Sequence, residues 1–434
     1  MSPDRNGPAS LGAARLGLGV LAFINLFNYL DRYIVPPLFE SLKHSELHPS
    51  DAQLGYLMSG FVLVYTLTAP VFGFFGDRRK RPRLLALGVL VWSVATALGG
   101  FARSIGQLLA ARATVGVGEA AYATIGPALL ADYFPRARRG RAFAVFYAAV
   151  PVGAALGYVV GGLVDHHFGW RRAFFVAGIP GVLLALLALR LHDAPRGVHD
   201  GVASEPVPHE SLDFWGRVVD IWDRLVAYLE LFSNRPYRLT VLGYAGYTFA
   251  LGGIAAWMPV FLERVRGLPG AAATVRFGAI VVATGLVGTF AGGWLGDRLL
   301  QRTREAYLWV SAVATLLAAP LILVALTVAD PAVFWTAIVI AELLMFASTG
   351  PINSAIVNAV SPGMRAMAMA VSIFAIHILG DVPSPALVGW ISDRHSLATA
   401  VLILPIAALI GGVVWAWGAW VGGARGSPQS LTRS

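Results

Sequence analysis

Apolar stretches of about 20 residues recur along the chain, separated by short polar and basic loops. Each is long enough to cross a bilayer as an α-helix. The pattern predicts twelve spans. Six lie near residues 15–40, 52–76, 83–103, 106–133, 139–165 and 171–191, and six near 237–262, 272–298, 305–329, 332–360, 366–391 and 397–421. The stretch 192–236 breaks the rhythm. Through about Glu210 it is rich in His, Pro, Asp and Gly and reads as a flexible linker. Beyond it Leu212, Trp215, Val218, Val219, Trp222, Leu225, Val226, Leu229 and Phe232 recur at helical spacing. They predict an amphipathic helix over about 211–232, lying either on the cytoplasmic membrane surface or against the protein's own cytoplasmic end. The resulting plan is a tail (1–14), a six-helix bundle (15–191), the linker, a second bundle (237–422) and a tail (423–434).

Composition agrees with the pattern. Residues are 57% hydrophobic and only 13% charged, whereas soluble domains carry about 25% charged residues. The expectation is an all-α, multi-pass membrane protein. Its net charge of +9 sits in short loops, where it orients helices, and forms no nucleic-acid stripe. No cysteine is present, which excludes disulfides, thiolate metal sites and cysteine nucleophiles. Met1 to Ser10 is polar, and the first apolar run, with Asn25, Asn28 and Asp31 in it, reads as a retained helix. Only Lys43 and Lys80 are lysines among the basic residues, a bias that suggests a bacterial source and hence an inner membrane.

Loop charge sets the orientation. Arg78 to Arg83 follow span two, Arg136, Arg138, Arg139 and Arg141 follow span four, and Arg298, Arg302 and Arg304 follow span eight. Alternate loops are poorer, with exceptions at Arg171 and Arg172 and at Arg264, Arg266 and Arg276. The bias places both termini and the central loop in the cytoplasm.

The two halves repeat each other. Gly73, Gly76, Asp77 and Arg78 close span two, and Gly293, Gly296, Asp297 and Arg298 close span eight. Asp165 closes span five and Asp393 span eleven. Internal duplication of this kind is the usual build of a secondary transporter, with its substrate site at mid-membrane between the halves.

At these residues the chain resembles the major facilitator superfamily. The Gly73–Arg78 segment with its basic run is similar to the loop between that family's second and third helices, although Arg79, Lys80, Arg81 and Pro82 depart from the usual continuation. The run Arg112 to Glu119, with Gly116 and Gly118, resembles its fourth-helix motif. Asn28 to Arg32, taken with Gly116 to Tyr122, is similar to the Spinster branch. That resemblance implies a twelve-helix fold in two pseudo-repeated bundles and export of lysolipids or sphingosine phosphates.

Charges inside a bilayer are costly and call for a reason. Asp31 and Arg32 lie deep in span one, while Arg112 and Glu119 share one face of span four, two turns or roughly 10 Å apart. Burial favours the neutral carboxyl and Arg112 favours the ionised one. Asp31, Glu119 and Arg112 therefore read as a proton-coupling switch, or else as a static cluster tying helix one to helix four. Asp77, Arg78, Asp297 and Arg298 read as a cytoplasmic latch, or as simple helix termination. Glu342, Asn353, Asn358, His377 and Asp381 are the polar groups of spans ten and eleven, candidates for substrate contact or bundle hydrogen bonds. His377 and Asp381 are too few to make a metal site. Arg112 and Arg32 are candidates for an anionic head group. Phe61, Tyr65, Tyr122, Tyr147, Phe249 and Trp257 could wall an acyl-chain cavity or simply pack. Small residues four apart, Gly153, Gly157 and Gly161, suit either rocking or close helix packing.

No phosphate-binding glycine loop, His-Glu-x-x-His pair or nucleophile elbow occurs. An enzyme and a cofactor are thus not expected. Asp165, His166 and His167 fall at a helix end as an interface cluster. The reading is a proton-coupled carrier of a lipid-like or amphiphilic substrate, acting as a monomer among membrane lipids without nucleic acid. A proton-coupled organic-anion or drug exporter and a non-transporting receptor are the alternatives.

Overall fold

The computed structural model describes residues 10–199, 216, 228–360 and 365–425. Among these residues the structure is all helix and turn, with no strand. The helices are α1 (Leu11–Tyr33), α2 (Asp51–Arg78), α3 (Arg81–Gly99), α4 (Ile105–Tyr133), α5 (Arg136–Phe168) and α6 (Trp170–Ala188). After the linker come α7 (Arg235–Arg264), α8 (Gly270–Leu300), α9 (Ala306–Thr327) and α10 (Pro331–Asn358). The last are α11 (Ala368–Arg394) and α12 (Leu397–Gly422). Among the described residues, eleven spans are long and apolar enough to cross a membrane. The remaining helix, α4, has 29 residues and carries Arg112, Glu119 and Asp132. Apart from residue 216 and the 3₁₀ helix Tyr228–Ser233, the amphipathic segment expected over 211–232 lies outside the described residues.

Local chemistry sets the helix ends. The side chains of Ser10, Ser104, Asn234, Asp330 and Ser396 each accept a backbone N–H from the first turn of α1, α4, α7, α10 and α12. Prolines account for the departures from straight spans. The first span was expected to run unbroken to residue 40, but α1 stops at Tyr33, and Pro36 and Pro37, which lack an N–H, open a 3₁₀ turn (Pro36–Leu38) before a short helix, Phe39–Lys43. α10 steps at Ser348, and Pro351 leaves the Ala347 carbonyl without its helical donor. α11 contains a π-helical turn, His377–Asp381, just before Pro383 and Pro385. There the Val382 N–H reaches the His377 carbonyl at 3.0 Å.

Contacts divide the chain into two compact units. In their described parts, the first takes in residues 1–49, 56–221 and 269–278, and the second 50–55, 222–268 and 279–434. Within the first unit α5 lies directly on α1. A Cβ at Gly153, Gly157 or Gly161 would meet the carbonyl oxygen of Leu26, Leu30 or Ile34 respectively. The four-residue glycine spacing therefore matches a four-residue register of backbone on the neighbour, which is close packing. The core beside this contact includes Leu21, Ile24, Phe61, Trp92, Tyr122 and Phe146.

Within the second unit α12 packs on α7. The Trp415 indole N–H donates to the Thr240 carbonyl at 2.8 Å, and its ring lies 5.6 Å from that of Tyr247. Hydroxyls of Thr315 and Ser348, 3.2 Å apart, join α9 to α10. In a bilayer such internal partners replace the water that a soluble protein would use.

Candidate functional site

The charged residues of α1 and α4 meet inside the first unit as two crossed ion pairs. Arg112 Nη1 donates to Asp31 Oδ1 at 3.0 Å. The other oxygen of Asp31 accepts the Thr96 hydroxyl from α3. Arg32 donates to Glu119 Oε2 through Nη2 at 2.9 Å and Nε at 3.3 Å. Asp31, Arg112 and Glu119 are fully buried, whereas the Arg32 side chain keeps 16% of its surface exposed. Buried charges persist when paired and hydrogen-bonded, and each carboxylate here has its own guanidinium.

Sequence spacing put Arg112 and Glu119 on one helix face, with Arg112 as a charge partner of both carboxylates. Arg112 does act on the charge of both, but the structure hydrogen-bonds Glu119 to Arg32, and consecutive α1 residues, Asp31 and Arg32, answer the two α4 residues separately.

Aromatic rings surround the cations. The Arg32 guanidinium lies 5.0 Å from the ring centres of Tyr29, Phe61 and Tyr65. The Arg112 guanidinium lies 4.8 Å from the ring centre of Phe61. Cation–π contact of this kind strengthens when desolvated. The network is also incompletely satisfied. Arg112 Nε and Nη2, Glu119 Oε1 and Asn28 Nδ2 are buried without a hydrogen-bond partner. Unpaired donors and an unpaired carboxylate oxygen thus lie together in one buried cluster.

The other aromatic candidates divide. Tyr147 is half exposed, beside Phe143 and Phe146. Tyr122 is buried; its hydroxyl donates to the Leu21 carbonyl at 2.5 Å, and its ring meets Trp92 and Phe146.

The second unit holds its own polar cluster. His377 Nδ1 lies 2.9 Å from Asp381 Oδ1 across the π-helical turn. Tyr244 hydrogen-bonds Asn353 and feels the charge of Asp381. Asn353 also donates to the Thr349 carbonyl at 2.8 Å. Trp257 is tied by its indole N–H to the Pro385 carbonyl at 3.0 Å, and the Phe249 carbonyl accepts the Ser384 hydroxyl at 2.5 Å. Asn353 and Asp381 are thus neighbours of Tyr244, which spacing alone did not single out. Glu342 lies apart, buried among α7, α9 and α10. Asn358 is exposed at the end of α10.

Of the latch candidates, Asp297 accepts the Tyr307 hydroxyl at 2.8 Å, and the Arg298 guanidinium sits 5.5 Å from the Trp294 ring. Asp77 and Arg78 occupy the last turn of α2, and their side chains lie outside the described ones. Asp165 accepts the Ser41 hydroxyl at 2.5 Å, and the rings of His166 and His167 meet edge to face. Among the described residues no group of three or more His, Cys, Asp or Glu is placed to hold a metal ion.

Two networks escaped the sequence reading. Arg81, within the basic run after α2, is buried and pairs with Asp132 Oδ2 at 2.5 Å and Asp193 Oδ1 at 2.9 Å. The Gly197 N–H donates to the other oxygen of Asp132 at 2.9 Å. In the second unit, Arg264 donates twice to Asp51, at 2.6 and 3.1 Å, and the Ser392 hydroxyl adds a third bond at 2.5 Å. Asp393 accepts the backbone N–H groups of Asp51 and Ala52 at 2.7 and 2.9 Å, capping α2 from the end of α11.

The family model of the Major Facilitator Superfamily matches residues 21–385. Protein spinster homolog 3 of Danio rerio is 32% identical over 429 residues, covering 92% of this chain and 83% of that protein. Protein spinster homolog 1 of Homo sapiens is 33% identical over 415 residues, covering 90% and 76%. The chain belongs to the Spinster branch of the major facilitator superfamily. Solved structures share its fold. A bacterial homolog of the human lysosomal transporter Spinster, inward-facing and unoccupied, superposes with a TM-score of 0.81 at 22% identity, covering 95% of this chain and 98% of that one. A peptide transporter in complex with sulfate gives 0.71 at 14% identity, covering 94% and 95%. The protein is therefore a multi-pass membrane transporter of the Spinster type with the twelve-helix fold, and not an enzyme.

Proposed function

We propose that this transporter couples proton movement to alternating access and carries a lipid-like or amphiphilic anion, such as a lysophospholipid. The observation that carries the reading is the pair of crossed bridges, Asp31–Arg112 and Arg32–Glu119, buried on α1 and α4. Glu119 holds Arg32 through one oxygen and keeps the other free. A proton arriving at Oε1 cancels the charge that holds Arg32. The guanidinium, already partly exposed and walled by Tyr29, Phe61 and Tyr65, is then released to pair with an anionic head group. Aromatic walls beside a cation suit a molecule with a charged head and an apolar body. Asp31, held by Arg112 and Thr96, fixes the geometry on which this exchange depends. Tyr65, Tyr147, Asn353, His377 and Asp381 are the further substrate contacts in this reading. Asp297 and Arg298, with Asp77 and Arg78, close the cytoplasmic ends.

The test is flux of a labelled lysophospholipid in proteoliposomes, with and without an imposed pH gradient. Flux that rises with the gradient, and loses that rise in Glu119→Gln, supports the reading. Gradient-independent flux removes the proton. Absence of flux from folded protein removes the lipid, and a soluble organic anion becomes the substrate to try.

A further inference from the structure

Glu342 takes no part in the exchange described above, yet it is the most isolated buried charge-bearing group in the second unit. It lies eleven residues into α10 from Pro331, about 16 Å along the helix. It is 5% exposed. Its surroundings are Ile254 and Met258 from α7, Ile322 and Ala325 from α9, and Ile338 and Met345 from its own helix. Among the described residues it forms no hydrogen bond and no ion pair. An ionised carboxylate in such a place costs several kcal/mol or more, and the group takes up a proton instead.

We propose that Glu342 binds and releases a proton, giving the second unit a protonatable site independent of Asp31 and Glu119. The cavity it faces is about 10 Å³, too little for a substrate. The polar groups around it fit this role. From α7, Tyr247 is electrostatically linked to Glu342 but has its hydroxyl committed to the Met345 carbonyl at 2.8 Å. α9 presents only apolar side chains to the cavity, and no residue of α12 lines it. Arg266, just beyond α7, donates to the carbonyl of Ala325, a lining residue, at 2.8 Å, and stacks on Phe261 and Phe334. It forms no bridge to Glu342 and does not line the cavity. Neither bridge of the first unit is needed for any of this, so the site stands whether or not a lipid is the cargo.

The experiment uses the full chain in lipid vesicles, treated with dicyclohexylcarbodiimide, an apolar reagent that adds only to protonated carboxyls. Adducts are mapped by peptide mass spectrometry across a range of pH. The expected result is an adduct on Glu342 at acidic pH that falls about tenfold per pH unit above its midpoint, the slope of a single proton. It should be unchanged in the Glu119→Gln variant. Infrared difference spectra of the same vesicles should show a carboxylic-acid carbonyl band that Glu342→Gln removes. Labelling that does not vary with pH, or an infrared spectrum that Glu342→Gln leaves unaltered, overturns the proposal. Neither readout requires transport, so a failed flux assay and a failed Glu342 site are distinguishable.

Discussion

Arg32 and Glu119 meet through a single carboxylate oxygen, Oε2, which accepts both Nε and Nη2 of the guanidinium, while Oε1 is buried with no partner. A bidentate fork would use both oxygens and hold more firmly. The one-sided arrangement leaves Oε1 buried beside the bridge without a partner. In the proposed exchange, charge on Glu119 and freedom of Arg32 are mutually exclusive.

Glu119→Gln tests that exclusivity. The amide preserves shape and mimics the protonated acid, and the Arg32 side chain keeps 16% of its surface exposed, so the variant should fold and insert. It cannot exchange a proton. Gradient-driven flux should fall at least about tenfold, equivalent to about 1.4 kcal/mol on the coupled step, while exchange without a gradient persists. Flux measurements with the gradient on and off check this directly, and an unaltered gradient response would show that the proton binds elsewhere.

Asp31→Asn should act on stability more than on coupling. It leaves the Arg112 cation buried with only neutral acceptors, a loss of about 3 to 5 kcal/mol for a fully buried pair. Adding Arg112→Gln removes the stranded charge and should restore most of the loss. Thermal unfolding in detergent reports both steps. If the double variant is no more stable than the single one, Arg112 is compensated by some other group and the crossed-pair description fails.

The charges of α1 and α4 were legible in the sequence because a membrane tolerates so few of them. Their pairing was not. Arg112 and Glu119 share a helix face, and no spacing rule says that Asp31 will claim one and Arg32 the other. Loop arginines misled in a different way. Arg171, Arg264 and Arg266 contradicted the charge bias that sets orientation, and the structure shows each one bound locally. Arg171 donates to the Gly100 and Ala102 carbonyls at 2.9 and 2.7 Å and to Glu46. A hydrogen bond with its own backbone, together with Arg171, holds the Glu46 carboxyl below its usual range. Arg264 is held by Asp51, and Arg266 by a carbonyl and two rings. Arg81 is the converse, counted as an anchoring loop charge but buried between two aspartates. Charge counting treats every arginine as solvated, so it cannot see those that tertiary contacts have taken up. The π-helical turn of α11 was equally hidden, although Pro383 and Pro385, whose missing N–H groups favour it, were in view.

Arg81→Met should loosen the segment after α6. Arg81 holds Asp193 and the Ala194 carbonyl, and Arg196 holds the Gly76 and Arg79 carbonyls at 2.8 and 2.9 Å. Without the first clamp, residues 191–199 should open more often, by about tenfold for a local loss of about 1.4 kcal/mol. Limited proteolysis of protein in nanodiscs measures this as faster cleavage at the start of the linker, with cleavage elsewhere unchanged. An unchanged rate would mean that the Arg196 contacts suffice.

Asp51 in the second unit answers two kinds of partner at once. Its carboxylate takes Arg264 and Ser392, while its backbone N–H goes to Asp393. The Arg264 side chain is about a quarter exposed, so solvent screens the pair and its worth is nearer about 1 kcal/mol than the buried limit. Asp393→Ala removes both acceptors of the first N–H groups of α2 and should cost about 1 kcal/mol, the usual value of a lost helix cap. Asp51→Asn and Arg264→Gln share a bond, so their double-mutant cycle should show a coupling of at least about 0.5 kcal/mol. Unfolding free energies from a denaturant series supply all of these values. A cycle that closes to zero would reduce the Asp51–Arg264 bridge to a surface contact and leave the cap by Asp393 as the bond that holds the start of α2.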